Sequence, residues 1–138
     1  YVEMQWLMLQ QKVPEDFVIA TGRMETVRKF IELTGKEIGW NKKNSNSESI
    51  IWEGEGKEEI GRRADTNEIV IKIDPKYFRP TEVDLLQGDS TKALKKLSWK
   101  PKITLEQLVH EMVKEDQKEA LNELILKQKN FEGNKELL

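Results

Sequence analysis

Arg79 and Glu82 stand three residues apart in Tyr77-Phe78-Arg79-Pro80-Thr81-Glu82-Val83-Asp84. The guanidinium of an arginine is planar, permanently charged and able to meet two phosphate oxygens at once. A carboxylate accepts hydrogen bonds from the vicinal hydroxyls of a ribose, as acidic residues do in dinucleotide sites. Pro80 stiffens the backbone between them and sets the direction in which the chain leaves Arg79. Arg-x-x-Glu therefore suits a nucleoside diphosphate, with one side chain for each chemical part. The same spacing equally suits a surface ion pair at i, i+3, worth about 0.2–0.5 kcal/mol. Spacing alone does not choose between these two readings.

The other candidates are weaker. His110 is the only histidine, so no histidine metal cluster forms, and no metal site is expected. It falls beside Val109 and off the Leu105/Leu108/Met112 face, which reads as an exposed helix position. Trp6, Trp40, Trp52 and Trp99 are scattered and read as packing residues rather than stacking platforms. Arg62-Arg63 falls in an expected hairpin and reads as a solvated pair. Gly54-Glu55-Gly56 has Gly-x-Gly spacing but continues into Lys57-Glu58-Glu59, with no third glycine and no helix signal. No dinucleotide-binding fingerprint is present. No Tyr-x-x-x-Lys follows Tyr1 or Tyr77, so no catalytic residue of the short-chain dehydrogenase type is assigned within the chain.

These side chains need elements to hold them. The 138 residues suit one domain or one lobe of a larger one. Charged residues make up 35% against a usual value of about 25%, and hydrophobic residues only 37%. A lobe that completes its core against a partner explains this, and so does a solvated helical tail. The net charge is −2 with the two signs interspersed, so the basic face that a nucleic acid requires is not expected. A single nucleotide needs only one or two cations. The absence of cysteine excludes disulfides and thiolate metal sites and fits a cytoplasmic location. No apolar run approaches the ~18 residues of a membrane span, and no signal-peptide pattern is visible.

Residues 2–11 read as an amphipathic helix in which Val2, Trp6 and Leu9 share a face. It carries no N-terminal cap, which reads as a truncation, and Val13-Pro14 ends it. Phe17-Val18-Ile19-Ala20 is a short apolar run, expected as a buried strand. Thr26 caps a second helix, whose Val27, Phe30, Ile31, Thr34 and Ile38 share a face and which weakens near Gly35. Residues 41–49 are a polar loop. Ile50-Ile51-Trp52, residues 57–63 and Ile69–Ile73 read as strands, with turns at Gly54–Gly56 and Ala64–Asn67. Asp89 is expected to cap a short helix carrying Ala93, Leu94 and Leu97, followed by an extended linker through Trp99, Pro101 and Ile103. Thr104 and Gln107 form a capping box. Leu105, Leu108, Val109, Met112 and Val113 come next at helical spacing, and a charge-laced extension runs through Ala120, Leu121, Leu124 and Ile125.

One long stretch is distinctive as written. Asp74-Pro75-Lys76-Tyr77-Phe78-Arg79-Pro80-Thr81-Glu82-Val83-Asp84-Leu85-Leu86-Gln87-Gly88-Asp89 resembles the C-terminal motif of the GDP-mannose 4,6-dehydratases. Leu97-Ser98-Trp99-Lys100-Pro101 resembles that family's Leu-Gly-Trp-x-Pro, with Ser98 in place of the glycine. Tyr1 to Gln11, Asp16 to Gly22, and Thr26-Val27-Arg28-Lys29-Phe30 are similar to the same family, in the same order. The resemblance covers residues 1 to about 116.

It implies the C-terminal substrate-binding lobe of an extended short-chain dehydrogenase, an α/β lobe of helices with a few short strands. Residues 1–118 would form the sugar-nucleotide-binding region and 119–138 a charged helical or flexible tail. The N-terminal Rossmann domain, which in this family holds NADP and the catalytic residues, would lie outside this chain. By carry-over, Arg79 grips the pyrophosphate and Glu82 a ribose of GDP-mannose. The family reaction converts GDP-mannose to GDP-4-keto-6-deoxymannose, and its members are usually oligomeric. By itself the chain is expected to be inactive. Two alternatives stand beside this reading: a related nucleotide-sugar reductase or epimerase, which also uses Arg-x-x-acid, and a non-catalytic interaction domain.

Overall fold

The computed structural model describes residues 1–41, 48–79, 81 and 86–135, the last seven of these by backbone alone. The polar loop expected at 41–49 lies largely outside them. Four helices and one sheet form: α1 (Val2–Leu9), α2 (Val27–Ile38), β1 (Ile50–Glu53), β2 (Ile60–Arg63), β3 (Ile69–Lys72), α3 (Thr91–Leu97) and α4 (Leu105–Lys135). A single 3-10 turn, Gly56–Glu58, joins β1 to β2. The strands pair antiparallel in the order β1-β2-β3, so the architecture is mixed α/β, as expected.

Local chemistry accounts for most boundaries. Thr26 caps α2 by accepting a hydrogen bond from the Lys29 backbone N–H at 3.0 Å, and Gly39 ends it in the left-handed region at φ 89°. The capping box of α4 forms in both directions: the Gln107 N–H donates to Thr104 Oγ1 at 3.2 Å, and the Thr104 N–H donates to Gln107 Oε1 at 2.9 Å. α3 begins one residue later than expected, with Ser90 as its cap, while the Asp89 carboxylate accepts from the Thr91 N–H at 2.8 Å. Ser98 ends α3 at φ 53°, a conformation that costs a non-glycine residue roughly 1–2 kcal/mol. The glycine of the resembling motif occupies this same position.

Four sequence expectations are corrected. Residues 17–20 are extended but belong to no strand. Their N–H and C=O groups pair with no strand among the described residues, and Phe17 and Ile19 instead pack on a core of Met4, Ala93, Leu97 and Trp99. An apolar run specifies burial, not a partner strand. On α1, the Val2/Trp6/Leu9 face is exposed, and Met4, with Leu7 and Met8 beside it, faces the core. A short helix with apolar residues all round cannot be phased from sequence alone. Gly35 does not weaken α2. A Cβ there would lie 2.9 Å from Ser49 Oγ and 3.3 Å from the Trp40 ring, so glycine lets the β1 approach pack against the helix. Finally, Trp6 is 60% exposed and does not pack, whereas Trp99 is buried as expected.

α2 packs against both α4 and β1. α4 packs along it through the buried Val109 and Val113, and β1 crosses it. His110 is exposed, as expected, and its Nδ1 lies 2.6 Å from Glu37 Oε1 on α2. Beyond Val113 no residue from 114 to 128 is buried, and Leu121, Leu124, Ile125 and Leu126 face solvent along the continued helix.

Candidate functional site

β3 leads directly to Arg79. After Lys72 the chain turns at Asp74: its Oδ1 accepts from the Lys76 N–H at 2.9 Å and its carbonyl from the Tyr77 N–H at 3.0 Å. This short Asx turn presents Tyr77, Phe78 and Arg79 on the surface. Arg79 is exposed, and Glu82 lies outside the described residues.

The β1–β2 turn comes close to that loop. Gly54 (φ 80°) and Gly56 (φ 58°) form the tight turn after β1, and a Cβ on Gly56 would stand 3.7 Å from Phe78 Cζ. The Phe78 ring thus lies close to the 3-10 turn, one residue before Arg79. The turn is tied to α2 by Arg28, which pairs with Glu59 while its guanidinium lies 4.3 Å from the centroid of the Trp52 ring. Trp52 Nε1 donates to Glu32 Oε1 at 3.1 Å, and Ser49 Oγ donates to the Glu32 carbonyl at 2.6 Å.

Arg62 and Arg63 correct the expectation of a solvated pair. Both are largely covered. Arg62 donates through Nε to Glu53 Oε2 at 3.0 Å and through Nη1 to the Asn67 carbonyl at 3.2 Å. Arg63 forks onto Asp65 at 3.0 and 2.8 Å and lies over Trp40. The hydrogen-bonded Arg63 holds the Asp65 carboxyl below its ordinary range. These contacts stiffen the β2–β3 hairpin that carries the Arg79 loop.

The downstream end of the motif is fixed independently. The Gln87 side-chain amide donates to the carbonyl of Gly22, 65 residues away in sequence. Gly88 sits so close to the extended segment that a Cβ there would lie 2.5 Å from Ala20 Cβ and 3.2 Å from Val18 Cγ1. The Thr91 hydroxyl, donating to Asp89 at 2.5 Å, and the Thr91 N–H keep the Asp89 carboxyl below its usual range. Spacing did not signal the Gln87–Gly22 and Gly88–Ala20 approaches, because they join distant stretches of chain. Gly88→Ala is expected to destabilise the fold by roughly 1–3 kcal/mol, since neither Ala20 nor the backbone at 88 has a flexible end to move aside. Urea unfolding measures this, and a loss below about 0.5 kcal/mol, the size of an ordinary surface change, would contradict the close approach.

A separate groove of about 440 Å³ is lined by Tyr1, Ile19, Trp99, Pro101, Ile103 and Leu108, among others. Arg79 does not line it, and Lys102 at its rim is already paired with Glu3 at 3.0 Å. Its lining is mostly apolar, which does not suit a pyrophosphate. No helix among the described residues is long and apolar enough to cross a membrane.

The fold defines a mixed α/β lobe with an exposed Arg79 loop, and its sequence holds no dinucleotide fingerprint. Residues 1–112 match the family model described as GDP-mannose 4,6 dehydratase, and the chain belongs to that family. It is 50% identical over 116 residues to the GDP-mannose 4,6 dehydratase of Homo sapiens, covering 84% of this chain and 29% of that protein. It is 44% identical over 137 residues to a GDP-mannose 4,6-dehydratase of Vibrio cholerae, covering 92% of this chain and 35% of the relative. A Yersinia enterocolitica protein of the same name is 43% identical over 134 residues, covering 96% and 36%. The chain spans about a third of the length of the relatives it matches.

Proposed function

We propose that this chain supplies the nucleotide-sugar-holding portion of a GDP-mannose 4,6-dehydratase, which converts GDP-mannose to GDP-4-keto-6-deoxymannose. The observation that carries this reading is the family match across residues 1–112, which includes the whole Asp74–Asp89 segment. Arg79 is the donor to the pyrophosphate and Glu82 the acceptor from the ribose hydroxyls. Residues 1–118 form the sugar-nucleotide-binding region and 119–138 a charged tail.

NADP is the cofactor of this reading, but the residues present do not fit it. Among these 138 residues no Gly-x-Gly-x-x-Gly follows a strand, and the hairpin glycines Gly54 and Gly56 lead into a 3-10 turn rather than a helix. We therefore assign the cofactor and the hydride chemistry to a Rossmann half outside this sequence, and oligomeric assembly in the cytoplasm to the joined protein. A cleft of this kind needs both walls to enclose its ligand.

By itself, the 138-residue chain is expected to leave GDP-mannose unconverted with NADP present, while a protein joining it to a Rossmann half forms the 4-keto-6-deoxy product. Chromatography of the sugar nucleotides checks both. Product made by the chain alone would overturn the division of labour.

A further inference from the structure

We propose that Arg28 is a positioning residue for nucleotide-sugar binding, acting through the β1–β2 turn on Phe78 and so on Arg79. This inference rests on the reading of Arg79 as the pyrophosphate donor. Arg28 lies in the first turn of α2, far upstream of the loop it serves. Three contacts and one close approach make the connection. Its guanidinium is 4.3 Å from the Trp52 ring centroid and pairs with Glu59, the residue that ends the 3-10 turn. Within that turn the Glu59 N–H donates to the Gly56 carbonyl at 3.3 Å. Gly56 in turn lies beside the Phe78 ring, adjacent to Arg79: a Cβ added to it would stand 3.7 Å from Phe78 Cζ.

The chemistry of the clamp is specific to arginine. A guanidinium stacks flat on an indole and still directs N–H groups in its own plane to a carboxylate. One side chain thus orients Trp52 and Glu59 at once, and the indole is held from its edge by Glu32. A lysine would keep the charge on Glu59 but would not fill the planar contact. The clamp fixes the height of the turn over α2, and the turn fixes the ring before Arg79. Small displacements matter here, because a misplacement of about 1 Å can cost on the order of 100-fold in a positioned reaction.

The test uses the protein that joins this chain to its Rossmann half, with steady-state kinetics on GDP-mannose and NADP. Arg28→Ala is expected to raise KM for GDP-mannose about tenfold, a fraction of what full misplacement costs, and to leave kcat and NADP binding within about twofold. Arg28→Lys should recover part of that loss. The decisive measurement is the double variant. If Arg28 acts through Arg79, its substitution adds little in an Arg79→Ala background, because residues acting on one contact are not additive. A KM within about twofold for Arg28→Ala, or a full additive loss in the double variant, would overturn the inference while leaving the Arg79 reading intact. An Arg79→Ala single variant with unchanged affinity would overturn both. Should Arg28→Ala fail to fold, Arg28→Lys carries the same cycle.

Discussion

Arg79→Ala is expected to weaken GDP-mannose binding by roughly 30- to several-thousand-fold, measured by calorimetry on the protein that carries this chain with its Rossmann half. Truncating one member of a charged hydrogen-bonded pair costs about 2–5 kcal/mol. The loop gives a physical basis for the size of this effect. Arg79 follows a turn closed at Asp74, and the Phe78 ring before it lies close to the Gly56 turn. Arg79→Lys keeps the charge but loses the planar fork, and should recover only part of the affinity. Glu82→Gln should cost less, because an amide oxygen still accepts from one ribose hydroxyl. NADP affinity should not change in any of the three. An Arg79→Ala affinity within about twofold of the parent would make the surface pair, worth only tenths of a kcal/mol, the better account.

Met4→Ala is expected to destabilise the chain by about 2–5 kcal/mol in chemical denaturation. Met4 is 0% exposed and packs with Ala93, Leu97 and Trp99, with Phe17 and Ile19 against the same cluster. Three separate stretches of chain meet there, so removing the Met4 side chain opens a cavity among all of them. Leu9 on the same helix is 82% exposed, and Leu9→Ala should change stability by less than about 0.5 kcal/mol. The comparison tests the face assignment directly. If Leu9→Ala proved the costlier of the two, α1 would be packed on the Val2/Trp6/Leu9 face that its sequence spacing suggests.

The contrast between those two residues shows what was legible and what was not. Caps, turns and strands of the hairpin were readable because each depends on neighbours within a few residues. Thr26, the Thr104/Gln107 box and the Ile69–Lys72 strand are examples. The motif around Arg79 and Glu82 was legible as a family resemblance, since its consecutive residues carry that likeness. The burial of an eight-residue helix was not, because Met4, Leu7 and Met8 form an apolar face as plausible as Val2, Trp6 and Leu9. Only the partner decides between two such faces. The Phe17–Ala20 run failed as a strand for the same reason: extended backbone becomes sheet only when another strand accepts its hydrogen bonds.

By itself, then, the sequence determined the family, the order of most elements, the local hydrogen bonds that end them and the two side chains proposed for the ligand. Tertiary structure alone decided which faces are buried, how Gly88 meets Ala20, and that Arg28, Trp52 and Glu59 converge. The division comes from range. Capping and turn energies act between residues a few positions apart and are written in consecutive letters. The Arg28–Glu59 and Gln87–Gly22 contacts join residues 31 and 65 positions apart, and their geometry exists only once the chain has folded.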